Sequence, residues 1–188
     1  MTKRHVLVFA ASNSQVSINR KLAHHAGNVL CGIFDDDFEL APLDLNDYEM
    51  PIYSPERQAT LGIPERARQF FDQITQADGV IVSFAEHNGS YAVAYKNVFD
   101  WSSRIDMKVY QDRPLLVLSA SPGSRGAALV FKAATETLPF FGGNVVASYN
   151  VGSFAKHFDD AANALTTPNI AAGLRKSVHA FGAAMLLD

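Results

Sequence analysis

The chain has 188 residues, of which 48% are hydrophobic and 19% are charged, so it can form a sizeable core and is not expected to be disordered. Its 16 Lys and Arg residues against 19 Asp and Glu residues give a net charge of −3, which argues against a nucleic-acid partner. A single cysteine excludes an intramolecular disulfide framework and a cysteine-built metal cluster.

The N-terminal region starts with an apolar stretch over residues 6–11, which is shorter than the ~7–15 residues of a secretory signal core. No apolar run approaches the ~20 residues that a membrane-spanning helix needs. We therefore expect a single cytoplasmic domain over residues 1–188, with no membrane partner.

Hydrophobic patterning in the first half of the chain alternates between strand and helix periods. Successive apolar residues over 5–10 predict a strand covered on both faces, and helical spacing over 17–30 predicts a helix. Residues 39–45 indicate a second, weaker strand. Turn-forming residues predict a loop over 46–62, followed by a helix that begins near Pro64.

The same alternation continues in the second half. Strands are predicted over Gly79–Phe84, Pro114–Ala120 and residues 144–150. Helices are predicted over residues 90–104, 124–138 and 169–187. Five strands separated by helices predict a doubly wound α/β domain, in which a five-stranded parallel sheet carries helices on both faces.

The loops after the first, third and fourth strands are the candidate site, because ligands of such sheets bind beyond the carboxyl ends of the strands. After the first strand, Ser12, Ser14, Ser17 and Asn19 lie where a helix begins, and the free N–H groups there suit a phosphate. The alternative that Ser14 or Ser17 is simply an N-cap stays open. The loop lacks the glycine patterns of a Rossmann dinucleotide site and of a P-loop NTPase.

The loop after the third strand contains Glu86 and His87, and the loop after the fourth contains Gly123. Glu86 and His87 are adjacent and have no nucleophile beside them, so we do not expect hydrolytic chemistry. The turn at Gly123 lets backbone amides approach a flat ligand. Elsewhere, His24 and His25 are neighbours on a helix and do not face a common metal, so they are predicted to form a solvated face.

These loops resemble those of the NADPH-dependent FMN reductase family, which includes quinone, azo-dye and chromate reductases. The family pattern Gly-Ser-x-Arg-x-x-Ser-x-Asn corresponds to residues 11–19, and Pro-Glu-Tyr-Asn-x-Ser corresponds to residues 85–90. The patterns Leu-Lys-Asn-x-x-Asp-Trp and Ala-Ser-Pro-Gly correspond to residues 95–101 and 120–123, and Asp-Leu-x-x-x-x-x-Pro-x-Tyr to residues 44–53. The resemblance covers roughly residues 5–150.

The resemblance implies a flavodoxin-like sheet of strand order 2-1-3-4-5 in a homodimer or homotetramer. It also implies an FMN-dependent oxidoreductase that takes electrons from NAD(P)H and passes them to a small-molecule acceptor, such as a quinone or free flavin. The flavin carries the chemistry, so no catalytic side chain is expected. The residues implied to bind FMN are Ser12, Ser14, Ser17, Ile18 and Asn19 at the phosphate and Ala85, Glu86, His87, Asn88 and Ser121 around the ring.

Three of these positions depart from the family pattern: Ser14 replaces an arginine, Ala85 a proline and His87 a tyrosine. Loss of the arginine predicts FMN affinity lower by roughly ten- to a hundredfold, unless another cation compensates. Two alternatives stay open. One is a flavodoxin-type electron carrier, which the modest charge of −3 does not favour, and the other is a flavin-free or catalytically weak relative that acts in binding or assembly.

Overall fold

Five apolar segments form one parallel sheet in the computed structural model, which describes residues 3–187. The strands are β1 (Arg4–Ala11), β2 (Phe38–Leu43), β3 (Gly79–Phe84), β4 (Pro114–Ala120) and β5 (Asn144–Val151). Their order is β2-β1-β3-β4-β5, and every neighbouring pair is parallel. This confirms the predicted flavodoxin-like topology. Residues 1, 2 and 188 of the predicted domain lie outside the described residues.

Helices cover both faces of the sheet, as predicted. They are α1 (Ile18–Phe34), α2 (Pro55–Leu61), α3 (Glu65–Gln76), α4 (Val93–Ser102), α5 (Ala128–Thr137) and α6 (Pro168–Leu186), with short 3-10 turns at Asp35–Asp37, Leu45–Tyr48, Leu138–Phe141 and Phe154–Lys156. Leu22 of α1 and Phe181 of α6 belong to one buried cluster, which includes Val8 of the interior strand β1. Phe9 of the same strand points to the other face and packs with Phe70 of α3.

The strand register brings three strand ends together. Ala11 pairs with Phe84 across β1 and β3, and Phe84 pairs with Ser119 across β3 and β4. The loops that follow these three strands therefore begin side by side at one edge of the sheet, which is the edge where the candidate site was expected.

Three predicted elements need correction. The predicted loop over residues 46–62 contains helix α2, whose N-cap Ser54 accepts a hydrogen bond from the amide of Arg57. None of the residues of α2 is buried, so the helix leaves no periodic apolar signal in the sequence. The predicted helix over 90–104 begins at Val93, because a hairpin precedes it.

That hairpin pairs Glu86–His87 with Ser90–Tyr91. Its turn consists of Asn88 and Gly89, whose φ angles of 52° and 78° are those of the tight two-residue turns that favour this dipeptide. A second hairpin, Phe158–Asp159 with Ala164–Leu165, lies between β5 and α6 and was not predicted. The helix predicted over 124–138 begins only at Ala128.

Candidate functional site

A cleft of about 220 Å3 lies beyond the carboxyl ends of β1, β3 and β4. Its lining comes from the three loops predicted to form the site: Ser12, Ser14, Val16, Ser17, Ile18, Asn19, Ala85, Glu86, His87, Ala120, Ser121 and Pro122. Nine of the ten residues predicted to bind FMN are in this set, and Asn88 is the exception. Val16, Ala120 and Pro122 were not predicted, although the last two flank Ser121 within the Ala-Ser-Pro-Gly pattern.

The first loop folds through hydrogen bonds among its serines. The amide of Ser14 donates to Oγ of Ser12 at 3.2 Å, and the amide of Ser17 donates to the carbonyl of Ser14 at 3.3 Å. Oγ of Ser17 accepts from the amide of Arg20, so the N-cap alternative is confirmed for Ser17 and not for Ser14. The amides of Ile18 and Asn19 are helix-start donors for which α1 supplies no acceptor.

The side chain of Asn19 points into the protein and joins the start of α1 to β3 and β4. Its Oδ1 accepts from Oγ of Ser83 at 2.8 Å and from the amide of Ala120 at 2.8 Å, and its Nδ2 donates to the carbonyl of Ala120 at 3.2 Å. Asn19 is 3% exposed and Ser83 is fully buried. Asn19 therefore holds the start of α1 against the ends of β3 and β4, and only its backbone is free to face the cleft.

Glu86 is used as a helix cap. Its Oε2 accepts from the amides of Leu129 and Val130 at 2.9 and 3.0 Å. Helix α5 needs this acceptor because its own N-cap residue, Ala127, is left-handed with φ 59° and has no capping side chain. The carboxylate also complements the positive end of the helix. Glu86 thereby links the third-strand loop to the segment that follows β4.

Ser121 also bonds to backbone groups, and these lie within the loop after β4 and at the end of β5. Its Oγ donates to the carbonyl of Gly123 at 2.9 Å and accepts from the amide of Ala127 at 3.1 Å. Its amide donates to the carbonyl of Val151 at 3.2 Å. The Ser121 hydroxyl therefore shapes the loop, while Ala120 and Pro122 on either side of it line the cleft.

His87 stands where the cleft meets two further cavities of about 430 and 380 Å3. Asn88 lines the cavity of 380 Å3, together with Ile52 and Tyr53. The cavity of 430 Å3 is bounded by the segment after β2, which contributes residues between Leu45 and Ile52. A molecule of moderate size can thus lie against His87 while the cleft itself is occupied.

Two residues of the Lys-Asn-x-x-Asp-Trp pattern attach the wall of these cavities to α4. Oδ1 of Asn97 accepts from the amide of Tyr53 at 2.9 Å, and its Nδ2 donates to the carbonyl of Met50 at 3.0 Å. Nε1 of Trp101 donates to the carbonyl of Pro51 at 2.7 Å, and the indole packs edge-on against Tyr53. The pattern therefore fixes the loop that borders the cavities.

The prediction of a solvated His24–His25 face is wrong, because both side chains are half-buried. Nε2 of His25 accepts from the amide of Leu165 at 3.3 Å, so the residue anchors the second hairpin on α1. Burial lowers the pKa of His25, and burial together with the charge of Arg20 lowers the pKa of His24. Among residues 3–187, no group of three or more potential ligands could hold a metal ion.

None of the helices in the described part of the chain is long and apolar enough to cross a membrane.

The strand order and the position of the cleft define the class of the protein as a flavodoxin-like α/β protein. Residues 4–157 match the model of the family described as NADPH-dependent FMN reductase. The chain belongs to this family, which confirms the resemblance inferred from the three loops.

Similar proteins have been characterised or solved. The chain is 31% identical over 125 residues to a 2-hydroxy-1,4-benzoquinone reductase from Burkholderia sp., covering 66% of this chain and 64% of that protein. It is 34% identical over 80 residues to a quinone reductase from Escherichia coli K12, covering 43% of each. The chain thus spans less than two thirds of these curated relatives. The structure of FerB, a flavoenzyme NAD(P)H:(acceptor) oxidoreductase from Paracoccus denitrificans, superposes with a TM-score of 0.74 at 26% identity over 98% of both chains.

Proposed function

We propose that this protein is an FMN-dependent oxidoreductase that takes electrons from NAD(P)H and passes them to a small-molecule acceptor, with quinones as the substrate class. The observation that carries the proposal is the convergence of nine predicted flavin-binding residues on one cleft. Family membership and the names of the relatives, quinone reductase and NAD(P)H-dependent FMN reductase, support it.

The donor set of the cleft fits FMN. The hydroxyls of Ser12, Ser14 and Ser17 and the amides of Ile18 and Asn19 would hold the phosphate, since a helix start is a favourable place for an anion. The one acidic residue in the lining, Glu86, is already bound by two amides. The ring would lie between the loop that holds Ala85, His87 and Asn88 and the loop around Ser121.

Bound FMN would supply two-electron redox chemistry, with NAD(P)H as the reductant. The residues of the chain bind, orient and enclose the reactants. His87 borders the place where a second substrate would approach, because it lines both the cleft and the two adjoining cavities. Tyr48, Met50 and Ile52 contribute apolar and aromatic side chains to the wall of the larger cavity, which suits a flat aromatic acceptor.

We also propose a cytoplasmic, single-domain protein that assembles into a homodimer or homotetramer. Several large apolar side chains on and near helices α4 and α5 are exposed, among them Val93 at 70% and Phe140 at 82%. We expect these side chains to be covered at a subunit contact. Light scattering on a concentration series would show a mass of two or four chains, and a monomer at every concentration would contradict this part of the proposal.

The function is tested with purified protein and added FMN. We expect a yellow complex whose visible flavin absorbance is lost on anaerobic addition of NADPH or NADH and is restored by 1,4-benzoquinone. Bound flavin that neither nucleotide reduces would indicate an electron carrier instead. Absence of flavin binding at any concentration would refute both redox functions and favour a role in binding or assembly.

A further inference from the structure

We infer that Arg20 supplies the positive charge for the FMN phosphate, in place of the arginine that the family pattern has at position 14, and that Asp44 competes with the phosphate for it. The inference rests on the proposed function. None of the twelve residues that line the cleft is Lys or Arg. A flavin phosphate carries a charge of about −1.5 to −2 near neutral pH, so a cation nearby matters for its affinity.

Arg20 lies beside the loop that would hold this phosphate. It occupies the third position of α1, and its amide donates to Oγ of the cleft residue Ser17. Its guanidinium folds back and donates through Nη2 to the carbonyl of Gln15. The guanidinium therefore contacts the loop between Ser14 and Ser17, two of the residues that line the cleft, although Arg20 itself does not line it.

The present partners of the guanidinium leave it available. Nη1 lies 3.4 Å from Oδ2 of Asp44, and the two side chains are 38% and 41% exposed. An ion pair with this distance and exposure is weak. A guanidinium has five N–H donors, so it can keep the Gln15 carbonyl and still bind a phosphate oxygen. A phosphate dianion is a stronger partner than a single solvated carboxylate.

The next residue provides a matched comparison. Lys21 carries the same charge on the same helix, but its Nζ is directed to Oδ1 of Asp160 at 2.6 Å, near the second hairpin. Removing either charge changes the net charge of the protein equally. Only the Arg20 change removes a donor that touches the Ser14–Ser17 segment.

The experiment compares the dissociation constants of FMN and riboflavin, which differ only in the phosphate. Both ligands are titrated by flavin fluorescence into the wild type and into the Arg20→Gln, Arg20→Lys, Lys21→Gln and Asp44→Asn variants. A thermal melt of each variant shows that it is folded. The ratio of the two constants isolates recognition of the phosphate from recognition of the ring.

We expect Arg20→Gln to weaken FMN binding by roughly tenfold or more, the effect of losing one charge-assisted hydrogen bond, with riboflavin binding unchanged. Arg20→Lys should recover part of the loss. Asp44→Asn should tighten FMN by a few-fold, and Lys21→Gln should leave the ratio within about twofold because its charge is screened.

An FMN-to-riboflavin ratio that is the same in Arg20→Gln and wild type would overturn the inference while leaving the proposed function intact. Equal effects of Arg20→Gln and Lys21→Gln would also overturn it, since they would show that the phosphate responds only to the overall positive charge of the region and not to a contact with Arg20. Failure of the wild type to bind either flavin would refute the proposed function, and the inference with it.

Discussion

Replacing Asn19 with alanine should destabilise the protein far more than its place at the start of a helix suggests. The change removes the hydrogen bonds with Oγ of Ser83 and with the amide and carbonyl of Ala120. Ser83 is fully buried and Ala120 is 2% exposed, so water cannot replace the lost partner. At ~1 kcal/mol for each of three bonds, the free energy of unfolding falls by about 3 kcal/mol.

The loss is measurable because Trp101 is the only tryptophan and is fully buried, so its fluorescence reports unfolding in urea. For a domain of this size the melting temperature should fall by roughly 6–12 °C. Asn28→Ala is the matched control, since Asn28 lies exposed on the same helix and its replacement should change stability by less than ~0.5 kcal/mol. If the two variants are equally stable, Asn19 does not link the start of α1 to β3 and β4 in the way described.

Three further changes test other parts of the site. Glu86→Gln keeps an acceptor for α5 but loses the charge at the helix start, so the free energy of unfolding should fall by about 1 kcal/mol in a urea titration. His25→Gln should reduce the loss of stability on acidification. Burial lowers the pKa of His25 below its ordinary 6.5, so the unfolded chain takes up the proton first. The stability of the wild type therefore falls as the pH drops below 6.5. The dependence of stability on pH is measured as the melting temperature between about pH 8 and pH 5. Trp101→Phe removes the donor to the Pro51 carbonyl, so the amide of Tyr53 should exchange its hydrogen faster.

Two of these predictions have a control variant, and the third has an outcome that would contradict it. Glu136→Gln removes a charge from the exposed C-terminal end of α5 and should be close to neutral; a cost equal to that of Glu86→Gln would contradict the cap. His179→Gln, which replaces an exposed histidine of α6, is the control variant for His25→Gln. If the melting temperatures of His25→Gln and His179→Gln depend on pH in the same way, His25 does not account for the loss of stability on acidification. Unchanged exchange at Tyr53 in Trp101→Phe would show that Asn97 alone holds the loop.

The central strands of the sheet could be predicted from the sequence because they are buried on both faces. Gly79–Phe84 and Pro114–Ala120 are continuous apolar runs, and the structure has strands with the same bounds. Helix α2 could not be predicted from periodicity, because none of its residues is buried. Its start was nevertheless readable from Ser54 and Pro55, a capping serine followed by a proline.

The composition of the site could be predicted, but the direction of individual side chains could not. The family pattern placed Asn19, Glu86 and Ser121 at the site, and all three line the cleft. An amide or carboxylate at a loop end can face a ligand or bind neighbouring backbone, and residue type does not distinguish the two. The structure shows that each of the three side chains bonds backbone within the protein, at Ala120 of β4, at the start of α5 or in the loop after β4, and Asn19 also bonds the hydroxyl of Ser83 on β3.

The hydrogen bonds made by these three side chains bear on how the protein takes up its cofactor. Asn19, Glu86 and Ser121 hold the three loops together through bonds within the chain alone. Because these bonds need no group from outside the chain, we expect little ordering entropy to be lost when a ligand enters the cleft. We therefore expect the protein to fold without flavin, and we expect the concentration of free flavin to set the share of molecules that hold it.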